Sequence, residues 1–331
     1  MPVLYIKEQR AVIRKRAGRL LVDKEGKALL EIPLRSTDAV AVFGNVQVTT
    51  QALSELLDRG IPLAFYTRNG RLKGHLTADA SRNIPLRVAQ YRTALDESAS
   101  LPFARRLVQA KIANGAFLVR RHRDNHPAAV LDQAIAQLRD ASERAAGYAS
   151  LDELRGCEGA AAAVYFGVFG VLNRSTLPFP GRVRHPSTDP VNALLSLGYT
   201  MAGNEIRALA EGAGLEPYLG FLHRVDYGRP SLALDLLEPF RAPLVDRLAL
   251  RLVNERILRE DDFAKRVGGS MDGSVILVPG AWERYLGQYE RAVTEPLSGA
   301  PNGLRAEMAA QVDSLTGALR DGREFVPYVE G

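Results

Sequence analysis

The residues best suited to chemistry lie together in residues 214–241, GLEPYLGFLHRVDYGRPSLALDLLEPFR. This stretch places His223, Asp235, Glu238, Arg229 and Arg241 in a run otherwise built for burial. Leu232, Leu234, Leu236 and Leu237 surround Asp235, so that carboxylate leaves water at a cost unless it is paired, protonated or metal-bound. Ser231 reads as an N-cap, and the residues after it are good helix formers, which makes Asp235 and Glu238 i,i+3 neighbours on one helix face. Two carboxylates so placed repel each other unless a cation, an arginine or a proton lies between them. Pro239 removes a helical hydrogen bond and is expected to kink or restart the helix, re-aiming Glu238. Two readings follow from the segment alone. One is a metal or catalytic cluster with His223, and the other is a structural ion cluster in which Arg229 or Arg241 holds the carboxylates.

The rest of the chain must position these groups. Its 331 residues suffice for about two domains and a large core, and 46% hydrophobic with 24% charged residues fits an ordinary globular protein. The longest apolar run, residues 160–172, is too short to span a bilayer, and the N-terminus lacks a secretory pattern, so a cytoplasmic protein is expected. A single cysteine, Cys157, excludes an intramolecular disulfide and a multi-cysteine zinc site, which leaves oxygen and imidazole as metal donors. A formal charge of +5 leans modestly toward polyanionic partners. Arg105, Arg106, Lys111, Arg120, Arg121 and Arg123 fall in one helical region, and Arg182 and Arg184 in a proline-flanked loop. Each patch alone reads as a solvated face; beside an acidic cluster they suggest phosphates held near a metal.

The pattern predicts an α+β fold: an N-terminal β-rich domain over residues 1–80, then a larger all-α domain over 85–331. Short strands are expected at 3–6, 11–16, 20–23, 28–32, 39–43 and 62–66, interrupted by a helix capped at Thr49 or Thr50 and stopped at Gly60. Residues 77–83 read as a linker. Helices are expected at 85–97, 103–124, 128–145, 151–172, 191–210, 231–238, 239–259, 281–292 and 303–319, with a strand-like piece at 274–278. In 151–172, Glu158 precedes Gly159 and four alanines, a smooth surface that admits another backbone, so Glu158 is a candidate functional carboxylate. The next helix starts at Asp189-Pro190, and Asn192, Ser196 and Tyr199 form a polar stripe on it, either an internal network or a ligand-touching face.

In order and spacing, FGNVQVTTQAL (43–53), GIPLAFYTRNGRLKG (60–74), EGAAAAVYF (158–166), DPVNALLSLGYT (189–200) and residues 214–241 resemble one family over nearly the whole chain. It is the CRISPR-associated integrase-nuclease of spacer acquisition, Cas protein one. The resemblance implies an N-terminal β domain that forms a homodimer and a C-terminal helical domain that carries a metal site. It implies metal ligands at Glu158, His223 and Glu238, with Asp235 a further acidic residue close to the metal. Pro239 and the sequence GAWERYL at 280–286 are less typical of the family.

The implied activity is metal-dependent DNA phosphodiester transesterification that inserts foreign fragments into a CRISPR array, with water in place of the DNA hydroxyl giving cleavage. Oxygen ligands suggest Mg²⁺ or Mn²⁺, and the histidine favours Mn²⁺. The implied partners are DNA, a second copy of the chain, and the small companion Cas protein two. Arg184, Arg229 and Arg241 are candidates for phosphate contacts, with Asn192, Ser196 and Tyr199 as further DNA-facing residues. His185 is a minor candidate. Two competing classes are a cysteine hydrolase using Cys157 with His223, and a non-catalytic DNA-binding scaffold whose acidic cluster only stabilises the fold.

Overall fold

The computed structural model describes residues 3–68, 70, 72–78, 83–183, 186–267 and 272–331. The chain divides into two compact units, Met1–Arg82 and Asn83–Gly331. The expected linker, 77–83, lies partly outside the described residues, as do Arg184 and His185.

The first unit holds β1 (Val3–Ile6), β2 (Val12–Arg16), β3 (Arg19–Lys24), β4 (Lys27–Pro33), β5 (Ala39–Phe43), β6 (Gln47–Val48), α1 (Thr50–Asp58), β7 (Leu63–Tyr66) and β8 (Leu72–Leu76). They form two four-stranded sheets, ordered β1-β5-β7-β8 and β4-β3-β2-β6. Apolar alternation drives the packing: Leu4, Ile6, Ile13, Leu20, Val22, Val40, Val42 and Leu63 share one core with Ala52 and Leu56 of α1. The β2-β3-β4 meander turns at Ala17-Gly18 and Glu25-Gly26, all four residues at positive φ, as two-residue hairpin turns require. Its outer strand β4 exposes Leu29 and Leu30.

The second unit is helical: α2 (Ile84–Leu95), α3 (Glu97–Asn125), α4 (Ala129–Ala145), α5 (Leu151–Leu172), α6 (Pro190–Ala213), α7 (Ser231–Leu237), α8 (Arg247–Asn254), α9 (Pro279–Thr294) and α10 (Leu304–Asp321). The exception to the all-α expectation is an antiparallel ribbon, β9 (Phe263–Lys265) with β10 (Val275–Leu277), the latter falling within the strand-like piece at 274–278. No helix among the described residues is long and apolar enough to cross a membrane. Helices α3, α4 and α5 pack on one another, and α3 also packs on the chain that follows α7. That chain departs from the expected continuous helix. A 3₁₀ turn (Glu238–Phe240) and a π-helical turn (Arg241–Asp246) intervene before α8.

Two prolines explain the break. Neither Pro239 nor Pro243 carries an N–H, so the regular ladder cannot run through them. The carbonyl of Pro239, deprived of its ordinary partner at Pro243, instead accepts from Asn114 Nδ2 of α3 at 2.7 Å. Asn114 Nδ2 also donates to Tyr328 O (3.0 Å), and its Oδ1 accepts from Glu330 N (2.8 Å). Tyr328 stacks on Phe240, ring centroids 5.2 Å apart, and Gln311 of α10 donates to Leu236 O (2.8 Å). The turn that aims Glu238 is thus pinned by α3, α10 and the extended C-terminal segment. Asn114→Ala leaves buried backbone groups unmatched and is expected to lower unfolding stability by about 2–4 kcal/mol in urea titrations, whereas a loss under about 0.5 kcal/mol would contradict this pinning.

Candidate metal centre

Asp235 is fully buried on α7, and every donor around it comes from the loop that follows α6. Oδ2 accepts from the N–H of Phe221 (2.6 Å) and of Leu222 (2.9 Å), and Oδ1 accepts from the N–H of His223 (3.0 Å). The ring Nδ1 of His223 completes the set, 2.6 Å from Oδ1. Successive N–H groups wrapped round a carboxylate offset its desolvation. Close approach requires glycine beside them: a Cβ on Gly220 would stand 2.5 Å from Asp235 Oδ2 and 2.9 Å from the Ser231 backbone. Ser231 does not cap α7 as expected; the cap is Pro230, and the Ser231 hydroxyl donates to Arg224 O across the loop (3.0 Å). Because Nδ1 meets a carboxylate, Asp235 fixes the ring through that nitrogen and leaves Nε2 as the one that faces outward.

His223 Nε2 faces Glu238 Oε1 at 3.8 Å. Between Asp235 and Glu238, where the i,i+3 spacing called for a cation, an arginine or a proton, stands the imidazole of His223. Glu238 is buried, and its Oε2 lies 2.7 Å from Lys111 Nζ and 2.8 Å from Arg241 Nε. The same lysine ammonium contacts Glu158 Oε1 of α5. Burial by itself would raise the Glu238 pKa, but Arg241, Lys111 and His223 overcome it and hold the carboxyl well below its ordinary value. Glu158 and Glu238, from two different segments, thus converge on one positive charge.

Arg241 is fixed from behind. Its guanidinium lies 4.4 Å over the ring of Tyr199 on α6, whose hydroxyl donates to Asp246, and Tyr165 of α5 donates to the same carboxylate at 2.8 Å. Helix α6 approaches the π turn closely at Gly198, where a Cβ would stand 2.5 Å from Val245 Cγ1. Burial raises both tyrosine pKa values well above ordinary, helped by Asp246. Asp246 itself is pushed by burial up to about 6, against the two phenols and Arg241 that favour its charged form. A carboxyl whose folded pKa exceeds its unfolded value binds protons more tightly when folded. Its contribution to stability is therefore greatest in acid and falls by about 3 kcal/mol as pH rises from about 4 to 6. Glu238 acts with the opposite sign, its contribution present above an unfolded value of 4.5 and lost as pH falls below it. Asp246→Asn is expected to gain stability relative to wild type between pH 4.5 and 7 in urea titrations; an unchanged difference across that range would contradict it.

Glu158 is linked to Glu238 through Lys111, and His223 stands between Glu238 and Asp235, with Asp235 behind the imidazole. Other candidates go elsewhere. Asn192 is buried and its side chain is taken by Asp189, Gly181 O, Val183 N and Arg182, so it is not available to DNA. Ser196 bonds Ser187, and the Tyr199 ring is covered by Arg241. The stripe on α6 is thus an internal network. Arg241 holds Glu238, and Arg229 is half-buried with no ion pair to a described residue. Arg184 and His185 lie outside the described residues. Much of the basic helix is internally paired: Arg105 with Tyr148 O, Arg106 with Glu324, Arg121 with Glu330 and Arg123 with Asp132. Cys157 turns into α4, its Sγ 3.5 Å from Ala141 O, while His223 is held by Asp235, so the two form no nucleophile–base pair.

Lys111, Asn114 and Asp246 were not singled out for the site. For the first two a signal existed: Lys111 and Asn114 interrupt the apolar positions Leu107, Val108, Ile112 and Ala116 of α3, which is more than a solvated basic face requires.

Two carboxylates and a neutral imidazole nitrogen are a suitable donor set for a hard or borderline divalent cation. The convergence of Glu158 and Glu238 on the Lys111 ammonium shows that these oxygens reach a common cation. No group of three such donors is already gathered at metal-holding distance among the described residues.

A family profile described as CRISPR associated protein Cas1 matches residues 4–291. The chain belongs to the Cas1 family. The CRISPR-associated endonuclease Cas1 3 of Thermus thermophilus is 35% identical over 319 residues, spanning 95% of this Cas1 chain and 92% of its own. A CRISPR-associated exonuclease Cas4/endonuclease Cas1 fusion of Geobacter sulfurreducens is also 35% identical over 325 residues, and this chain spans 57% of the fusion's length. Among solved structures, a Cas6-RT-Cas1–Cas2 complex aligns over 99% of this chain and 36% of that one, with TM-score 0.82 and 25% identity. A casposase bound to integration product aligns over 99% and 93%, with TM-score 0.81 and 20% identity, which is a likeness of fold.

Proposed function

We propose that this Cas1 chain is a divalent-metal-dependent DNA strand-transferase and nuclease that joins DNA fragments into a CRISPR array. The observation that carries this reading is the pair of carboxylates, Glu158 and Glu238, that converge on one cation beside an imidazole whose free Nε2 is set by Asp235. Glu158, His223 and Glu238 would hold Mg²⁺ or Mn²⁺. When bound, the ion would polarise the scissile phosphodiester and stabilise the leaving oxygen. Asp235 keeps the imidazole proton on Nδ1 and orients the ring, and Arg241, stacked on Tyr199, fixes the Glu238 carboxylate. Arg229, half-buried in the same loop as His223, is the arginine best placed to meet phosphate. The solved complex named for Cas1 and Cas2 and the casposase named for its integration product support DNA and a Cas2-type protein as partners. Exposed Leu29 and Leu30 on the outer strand β4 support a homodimer through the β unit.

The test is incubation of the purified chain and its Cas2 partner with short duplex DNA and a supercoiled plasmid bearing a repeat array, in Mn²⁺, Mg²⁺ or EDTA. Joining in Mn²⁺ or Mg²⁺ that EDTA removes is expected; no metal-dependent joining or cleavage in any condition would sink the reading. DNA affinity is also expected to fall about tenfold or more between 50 and 200 mM salt, as released counterions require, and a flat response in filter binding would contradict phosphate contact.

A further inference from the structure

Lys111 is the residue whose position the strand-transfer reading leaves unexplained. It projects from the middle of α3, a helix that packs on both α5 and the 3₁₀ turn, and its side chain is only 20% exposed. A lysine there would ordinarily be an unfavourable choice among Leu107, Val108, Ala110 and Ile112. Its ammonium contacts Glu158 Oε1 and stands 2.7 Å from Glu238 Oε2. Those are carboxylates assigned to the metal, reached from two separate segments and drawn to one point.

We infer that Lys111 is an internal cation that occupies the ligand point of the metal-free chain, so that loading of a divalent ion is an exchange with its ammonium. This rests on the metal-centre reading above. A monovalent and a divalent cation cannot share the same two carboxylate oxygens, because their repulsion at contact distance in a half-buried site is large. Of the two cations on Glu238, Lys111 is the one that yields. Its flexible four-carbon stem carries a point charge, whereas the Arg241 guanidinium is held 4.4 Å over the Tyr199 ring while its Nε meets Glu238. The exchange has two consequences. The ammonium keeps Glu158 and Glu238 from repelling each other and holds them close before the metal arrives, and it lowers apparent metal affinity because it must be displaced first.

The test is calorimetric titration of Mn²⁺ into the full chain at one pH and ionic strength, with thermal unfolding of the same samples. Lys111→Met and Lys111→Gln are expected to bind Mn²⁺ about tenfold or more tightly than wild type, while Lys111→Arg, which keeps the charge, binds no more tightly. Without metal the two neutral variants unfold at lower temperature, and Mn²⁺ raises their Tm by more than it raises that of wild type. A lysine that only supports the fold would lower the metal-free Tm without tightening Mn²⁺ binding. Unchanged or weaker Mn²⁺ affinity in the folded neutral variants, with His223→Ala still weakening it, would overturn the exchange and leave the metal centre standing. Mn²⁺ binding absent from every protein, or undiminished in His223→Ala, would overturn both. Should Lys111→Met fail to fold, Lys111→Gln, which can still donate to one carboxylate, gives the same comparison.

Discussion

His223→Ala is expected to reduce metal-dependent strand transfer and cleavage by about a thousandfold or more while the protein remains folded. The size follows from the ring's position. Its Nε2 is the nitrogen donor beside Glu238, and Nδ1 is already taken by Asp235. Removing it takes away a proposed ligand and lets solvent in beside a carboxylate held by two cations. Stability should fall by only about 1.5–3 kcal/mol, since Asp235 loses one charge-assisted bond and keeps its backbone donors. Thermal unfolding and a Mn²⁺-dependent joining assay on the same preparation separate the two effects. A variant that joins DNA within about tenfold of wild type would remove His223 from the chemistry.

Asp235→Asn is expected to act on both stability and metal affinity. The carboxylate accepts on both oxygens, so an amide in the same place must aim its NH₂ at N–H donors whichever way it turns. The resulting unmatched buried donors cost about 3–5 kcal/mol, read as a shift of the urea midpoint. Loss of the Nδ1 acceptor frees the imidazole tautomer and should weaken Mn²⁺ binding by about 10–100-fold. A mutant with wild-type stability would show that the loop at 220–223 does not depend on this carboxylate. Wild-type Mn²⁺ affinity in a destabilised mutant would confine Asp235 to a structural role.

Local pattern was sufficient for much of the fold. The six expected strands of the first unit fell near their bounds, and β2 and β3 stop at turns that demand positive φ, at Gly18 and Gly26, whereas β6 and β8 were not expected. Helix α6 began where Asp189 and Pro190 placed it, with Asp189 accepting from Asn192 N. Helix α3 started earlier than expected, at Glu97, because the Asp96 cap and packing on α4 and α5 outweigh the presence of Pro102 in an early turn. The expected helix over 239–259 broke into 3₁₀ and π turns and ended at Asn254, since neither Pro239 nor Pro243 can donate to the ladder and the Pro239 carbonyl finds its partner on α3. No window of local sequence contains those partners.

The sequence by itself determined the chemistry available: histidine, carboxylates and arginines placed in apolar surroundings, where each has to be matched, in a motif order that belongs to Cas1. Residue type and local spacing suffice for that, because the cost of burying a charge is a property of the group itself. Only the tertiary structure decided which group answers which. It set Asp235 behind His223, paired Arg241 with Glu238, drew the stripe of Asn192, Ser196 and Tyr199 inward, and brought Lys111 of α3 between Glu158 and Glu238. The pairings of His223 with Asp235 and of Lys111 with Glu158 and Glu238 join residues distant in sequence, and Coulomb and hydrogen-bond energies depend on separations of a few ångströms that the fold alone sets.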